Sequence, residues 1–183
     1  MQVRETALPG VLVVQPRVFR DARGFFVETW HEQRYAEAGI GAHFVQDNHS
    51  RSVRGTLRGL HWQARRPQGK LVRVIEGGIF DVAVDIRPDS PTFGRWVGVH
   101  MAADDFTQLY IPPGFAHGFS VTSDVAQVVY KCTDYYDPEG ERGMIWNDPD
   151  IGIAWPDAGD LLLSERDRHH PTLRQAFGRG PAR

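Results

Sequence analysis

Between Leu71 and Cys132 the chain is a series of short alternating runs cut by turns, and this limits its possible folds more than any other feature. LVRVIE (71–76) alternates and ends at Gly77-Gly78. FDVAVDIR (80–87) alternates again, with Phe80, Val82, Val84 and Ile86 on one face and Asp81, Ala83 and Asp85 on the other. A period of two sends successive side chains to opposite faces, as a strand does. The Pro/Gly loop RPDSPTFG (87–94) precedes RWVGVHM (95–101), FTQLYI (106–111), HGFSVTS (117–123) and AQVVYKC (126–132). Short strands at this spacing predict an all-β sandwich or small barrel. The 19 glycines and 12 prolines suit many strands joined by turns.

Upstream the pattern is more mixed. LPGVLVVQPRVF (8–19) is strand-like, with an edge or a break expected at Pro16. DARGFFVETW (21–30) turns at Gly24 into aromatic-rich extended sequence, and HEQRYAEAG (31–39) is the best short helix, closed by Gly39. HFVQDNHSRS (43–52) joins an apolar run to a polar cluster. Beyond Ile145 the sequence is irregular; it is expected to wrap the sheet and to finish in a loose basic tail. With 183 residues and no evident linker, a single domain spanning 1–183 is expected.

Several function classes are disfavoured. The formal net charge is -2 with no long basic block, so no nucleic-acid partner is expected. Neither a secretion signal nor a bilayer-length apolar run is evident, so no membrane association is expected. Cys132 is the one cysteine, which rules out an internal disulfide and suggests the cytoplasm. Its strand-like setting suggests a buried, inert thiol. Neither a phosphate loop nor a dinucleotide fingerprint occurs, so a nucleotide would be a substrate handle and no cofactor is expected.

The residues that could carry chemistry gather between Arg54 and Gly78. His61 can take and return a proton near neutrality, and Arg58 and Lys70 flank it. A carboxylate should orient it, and Asp81, Asp85 and Asp167 all qualify on residue type. Lys70 could stabilise an oxyanion as a carbonyl becomes an enolate. Tyr130 could donate a proton from inside a sandwich, and Tyr135 or Tyr136 could stack on a base or sugar. Arg23, Arg54 and Arg58 could clamp phosphate. His117, entering a strand after PPGFA, could line the mouth of a barrel, whereas His169-His170 read as a surface pair. The position two after His61 is Gln63, which weakens a metal site.

The motifs DARGFFVE, FVQDNHSRS, RGLHWQ, GKLVRVIEGGIFDVAVDIR, SPTFGRWVG, YIPPGFAHGF, VVYKCTDYY, WNDPDIGIAWP and LSERD occur in this order over roughly residues 2–175. In this the chain resembles the cupin superfamily and, within it, the dTDP-4-dehydrorhamnose 3,5-epimerase family. The resemblance implies a cupin-type jelly roll β-sandwich with short peripheral helices. It makes His61 the base, Asp167 its acidic partner, Lys70 the enolate stabiliser and Tyr130 the acid on the opposite ring face. It makes Arg58 a substrate-binding residue and places Gln46 and Asn48 along the sugar and diphosphate. Tyr136 is similar to the ring near thymine, and His117 to a pocket histidine. Arg23, Phe26 and Glu28 resemble a nucleotide-contacting set that reaches the neighbouring subunit's site, which implies a homodimer. A dTDP-sugar is the implied partner, with no metal and no cofactor.

The implied reaction starts at a C4 ketone, which acidifies the hydrogens on C3 and C5. Removal from one ring face and return to the other inverts each centre, converting dTDP-4-dehydro-6-deoxy-D-glucose to dTDP-4-dehydro-β-L-rhamnose. The rival expectations are an epimerase acting at C3 or C5 only, a metal-dependent cupin and a non-enzymatic sugar-binding cupin.

Overall fold

Strands β1 (Gln2–Glu5), β2 (Leu12–Gln15), β3 (Val18–Asp21) and β4 (Gly24–Val27) lead to helix α1 (Glu32–Glu37) in the computed structural model, which describes residues 1–157 and 159–182. The strand series follows as β5 (Gln46–Val53), β6 (Leu57–Gln63), β7 (Lys70–Glu76), β8 (Gly78–Asp85), β9 (Trp96–Ala102), β10 (Gln108–Ile111), β11 (Phe115–Val121), β12 (Val125–Cys132) and β13 (Glu141–Gly143). Helices α2 (Glu165–Arg168) and α3 (Leu173–Phe177) complete it. Pro16 falls at the expected break between β2 and β3. Gly39 follows α1 with φ 92°, a left-handed position open to glycine.

Two antiparallel sheets carry the fold. One has the order β1-β2-β10-β7-β12-β5 and the other β13-β6-β11-β8-β9, while β3 and β4 form a separate hairpin. From β5 to β8 successive strands alternate between the sheets, so the connections close a sandwich, as the periodicity predicts.

Alternation sorts the side chains into three apolar layers. Val72, Val74, Leu109, Ala126 and Val128 of the first sheet meet Ile79, Met101, Phe119 and Val121 of the second between the sheets. Each such fully buried aliphatic or aromatic side chain contributes about 1.5–3 kcal/mol. Val14, Leu71 and Tyr110 on the back of the first sheet are covered by Tyr35 and Ile40. Phe80, Val82 and Val84 on the back of the second are covered by Met144, Ile151 and Leu173. Strand β8 is therefore buried on both faces, acidic residues included.

The segment expected to end as a loose tail is docked. Leu173 is fully buried, Phe177 stacks on Trp62 at 5.6 Å between ring centroids, and the Ala182 amide donates to the Phe93 carbonyl at 2.7 Å. Buried aromatic contact and a terminal backbone hydrogen bond offset the entropy that would otherwise free this end.

Asp85 organises the Pro/Gly loop. Its buried carboxylate accepts from the Arg87 amide (3.0 Å), Arg87 Nε (2.9 Å), Ser90 Oγ (2.6 Å) and Thr92 Oγ1 (2.6 Å). Burial opposes the charge, but these donors prevail and hold the carboxyl at about 2. Its folded value thus lies below the usual unfolded value of about 3.9. The stabilisation is present above that value and is lost as pH falls towards 2. Asp85→Ala is expected to cost about 3 kcal/mol at pH 7 by urea unfolding, a gap that narrows in acid. A pH-independent gap would mean that the charge is not responsible.

Candidate active site

The interior of the sandwich is apolar at one end and polar at the other. Lys70 opens β7 and Gln46 opens β5, while Tyr130 stands beside Asn48 in the β12–β5 register, all at one end of the first sheet. His61 and His117 lie opposite each other on β6 and β11 in the second sheet. The register shifts between His117 and Phe119, where two glycines approach closely. A Cβ on Gly59, at φ 111°, would lie 2.6 Å from the His117 carbonyl oxygen, and one on Gly118 would lie 2.6 Å from that of Arg58. Side chains at these positions would push the two strands apart.

A cleft of about 230 Å³ at this end is lined by Arg58, His61, Lys70, His117, Tyr130 and Asp167, together with Glu141 and Arg166. His61 Nε2 lies 2.5 Å from Asp167 Oδ1. Burial disfavours the Asp167 charge, but the imidazole beside it and its bond with Ser164 hold the carboxyl below its usual value. Asp167 sits in α2, whose N-cap Ser164 accepts from the Asp167 amide at 3.1 Å. The two members of this pair are 106 residues apart in the sequence.

The other candidate carboxylates are engaged elsewhere. Asp85 belongs to its loop, and Asp81 Oδ1 lies 2.8 Å from His117 Nε2. Burial pushes the His117 imidazolium down, so the neutral ring predominates at neutral pH. A carboxylate only accepts, so the ring's N–H belongs on Nε2 facing Asp81. Nδ1 then offers its lone pair to Lys70 Nζ, 3.4 Å away. Burial also pulls the Lys70 ammonium below its usual value, opposed by the negative charge of Asp81 and Glu141. Lys70 Nζ lies 5.8 Å from the centre of the Tyr130 ring, and burial pushes that phenol up, so it stays protonated.

The remaining sequence candidates divide. Arg58 Nε donates to Ser52 Oγ at 3.0 Å beside the cleft. Tyr136 borders an adjoining cavity with His61 and Lys70, and its hydroxyl donates to Glu141 Oε2 at 2.8 Å. Gln46 Oε1 accepts from the Tyr136 amide at 2.9 Å, and its Nε2 donates to Asn48 Oδ1 at 3.0 Å. Tyr135 is exposed outside these contacts. Arg23, Phe26 and Glu28 do not line the cleft. Arg23 pairs with Asp21 in the β3–β4 hairpin, Phe26 is 69% exposed, and Glu28 accepts from Arg34 at 2.7 Å. Arg54 pairs with Asp124 and also lies apart. Cys132 is buried, and burial raises its thiol, as an inert cysteine requires.

Sequence reasoning missed Glu141 and Arg166, which pair at 2.7 Å on the cleft wall. It also read His170 as a surface residue, whereas its side chain is only 13% exposed and packs edge-on against His61. His169 is exposed as expected. The signal for this region was SERD: a serine three residues before an acid is an N-cap pattern and places Asp167 in a helix's first turn.

Comparison with known proteins gives concordant matches. The family model for dTDP-4-dehydrorhamnose 3,5-epimerase matches residues 5–175. A dTDP-4-dehydrorhamnose 3,5-epimerase of Pseudomonas aeruginosa is 54% identical over 177 residues, covering 96% of this chain and 98% of that protein. One from Neisseria gonorrhoeae is also 54% identical, covering 96% of this chain; the chain spans only 54% of that longer protein. A solved structure from Legionella pneumophila, a dTDP-6-deoxy-D-glucose-3,5-epimerase in complex with dTDP-4-keto-L-rhamnose, superposes with a TM-score of 0.94. It is 47% identical and covers 97% of this chain and 95% of its own. The cupin-type sandwich expected from the sequence is thus the fold of its relatives.

Proposed function

The chain belongs to the dTDP-4-dehydrorhamnose 3,5-epimerase family, and from that premise we propose how its cleft divides the labour of a double inversion. The protein is a nucleotide-sugar epimerase acting at C3 and C5 beside a C4 ketone. His61 removes the proton from carbon, and Asp167 orients its ring and stabilises the imidazolium that forms. Lys70 faces the C4 oxygen as it becomes an enolate. Tyr130 returns a proton to the other ring face. Each inversion takes one proton and delivers one, with no net oxidation, so the chemistry calls for no redox cofactor. Between inversions His61 loses a proton and Tyr130 regains one.

The observation that carries this reading is the opposition of two walls. The His61–Asp167 pair stands on the five-stranded side, and Lys70 and Tyr130 on the six-stranded side of one cleft. Arg58 and Arg166 bring positive charge suited to a diphosphate, and Tyr136 offers a half-exposed ring to the thymine. Gln46 and Asn48 offer amides near the sugar, and His117 holds Lys70. Turnover in D2O followed by NMR tests the reaction: deuterium is expected at both C3 and C5. Label at one position only would establish a mono-epimerase. Tyr130→Phe is expected to slow inversion by about 10²-fold while exchange at carbon persists, which separates the acid from the base.

Arg23, Phe26 and Glu28 have no place in their own cleft, which supports a homodimer in which each hairpin completes the nucleotide end of its partner's site. Phe26→Ala is expected to raise KM at least about fivefold, the loss of roughly 1 kcal/mol of aromatic contact, with kcat little changed. A monomeric enzyme by light scattering at working concentration would refute the shared site. Among the described residues no helix is long and apolar enough to cross a membrane.

A further inference from the structure

We propose that His61, Asp167 and His170 form a binding site for a zinc-type transition-metal dication, and that filling it withdraws the base from the cleft. The site rests on geometry; the inhibition rests on the reading of His61 as the base.

Each of the three residues offers one ligand atom, and the three atoms lie within 4.8 Å of one another. Asp167 Oδ1 is their common neighbour, 2.5 Å from His61 Nε2 and 3.4 Å from His170 Nε2. His170 Nε2 is buried and has no hydrogen-bond partner among the described residues. A polar atom left so in the interior is unfavourable, and an ion bound there would satisfy it. The ring is also held in place, because it lies against Gly143 where any side chain would collide with it.

The donor set selects the ion. Two imidazole nitrogens and one carboxylate oxygen suit Zn²⁺ and Co²⁺, whereas Mg²⁺ and Ca²⁺ favour oxygen alone. Zinc lies about 2.0–2.1 Å from such donors, so in tetrahedral geometry they stand about 3.3 Å apart. The Asp167–His170 pair already has this spacing, whereas His61 would have to move away from Asp167 and settle at the same spacing from His170, its ligand atom now lying within 4.8 Å of it. The side chains of Asp167 and His170 are 5% and 13% exposed, and that of His61 is 32% exposed. Of the three, His61 and Asp167 line the cleft, so an ion between them is reached from it. This is not the two-histidine motif of metal-binding cupins, which would need an imidazole at Gln63. An ion on Nε2 displaces the N–H that faces Asp167, which leaves the neutral ring protonated at Nδ1 and takes away the lone pair that would act as base.

Adding Co²⁺ to the wild-type enzyme, freed of metal by chelator, is expected to give one equivalent of binding with the strong visible absorption of a low-coordinate site. Zn²⁺ should displace it. Zn²⁺ should also stop epimerisation, EDTA should restore it, and Mg²⁺ should do neither. His170→Gln, with His170→Ala as a second variant, should raise the half-inhibiting Zn²⁺ concentration at least about tenfold, each measured against its own metal-free rate. Unchanged zinc sensitivity in both variants, or only the weak absorption of octahedral Co²⁺, would overturn the site. Strong Co²⁺ binding lost in both variants but without effect on turnover would keep the site and overturn the withdrawal of the base, and with it the assignment of His61.

Discussion

His61→Ala is expected to lower kcat/KM by about 10³-fold, within the range by which positioned acid–base groups accelerate proton transfer. That is about 4 kcal/mol of transition-state stabilisation. The loss should appear in deuterium exchange at both C3 and C5, because one base on one wall serves both carbons. The fold should persist: His61 belongs to none of the three apolar layers, and the Asp167 carboxylate left behind keeps its place beside the Ser164 cap. Asp167→Asn should lower the rate too, and the double variant should be little worse than His61→Ala, since the pair acts as a unit. Near-wild-type turnover in His61→Ala would remove it from the base's role.

Lys70→Met is expected to lower kcat by about 10²–10³-fold, the cost of deleting an oxyanion donor from a preorganised site. Stability should move the other way. Burial already holds the Lys70 ammonium below its usual value, so the folded state bears a desolvation cost that methionine does not. Methionine also fills the space of the lysine stem. The variant should therefore melt at the same temperature as the wild type or higher while losing turnover, a trade-off expected of residues kept for chemistry. A lower melting temperature with normal turnover would make Lys70 a structural residue.

The strand series was legible because a period of two survives any tertiary context, and β7 to β12 emerge close to where alternation places them. Helix α1 was legible from its terminal glycine. The residue types of the cleft were legible as well: a histidine, a lysine and a phenol at strand ends. Their partners were not. Asp81, Asp85 and Asp167 are identical as letters, and only the folded chain gives one to His117, one to a loop and one, from helix α2, to His61. Family resemblance singled out Asp167; periodicity could not. The docked tail escaped notice because Leu173 and Phe177 are isolated apolar residues in a basic stretch. Their value appears only once the back of the second sheet exists to receive them. His170 was misread for the same reason.

The docking of residues 164–182 has a consequence for the chain as it is made. All the strands, and with them His61, Lys70 and Tyr130, are synthesised before Asp167, and the segment that anchors Asp167 comes later still. A nascent chain exposing only its strands holds the imidazole without its carboxylate. Folding of the sandwich and the onset of turnover are thus separate events in time, with the second waiting on residues 164–182.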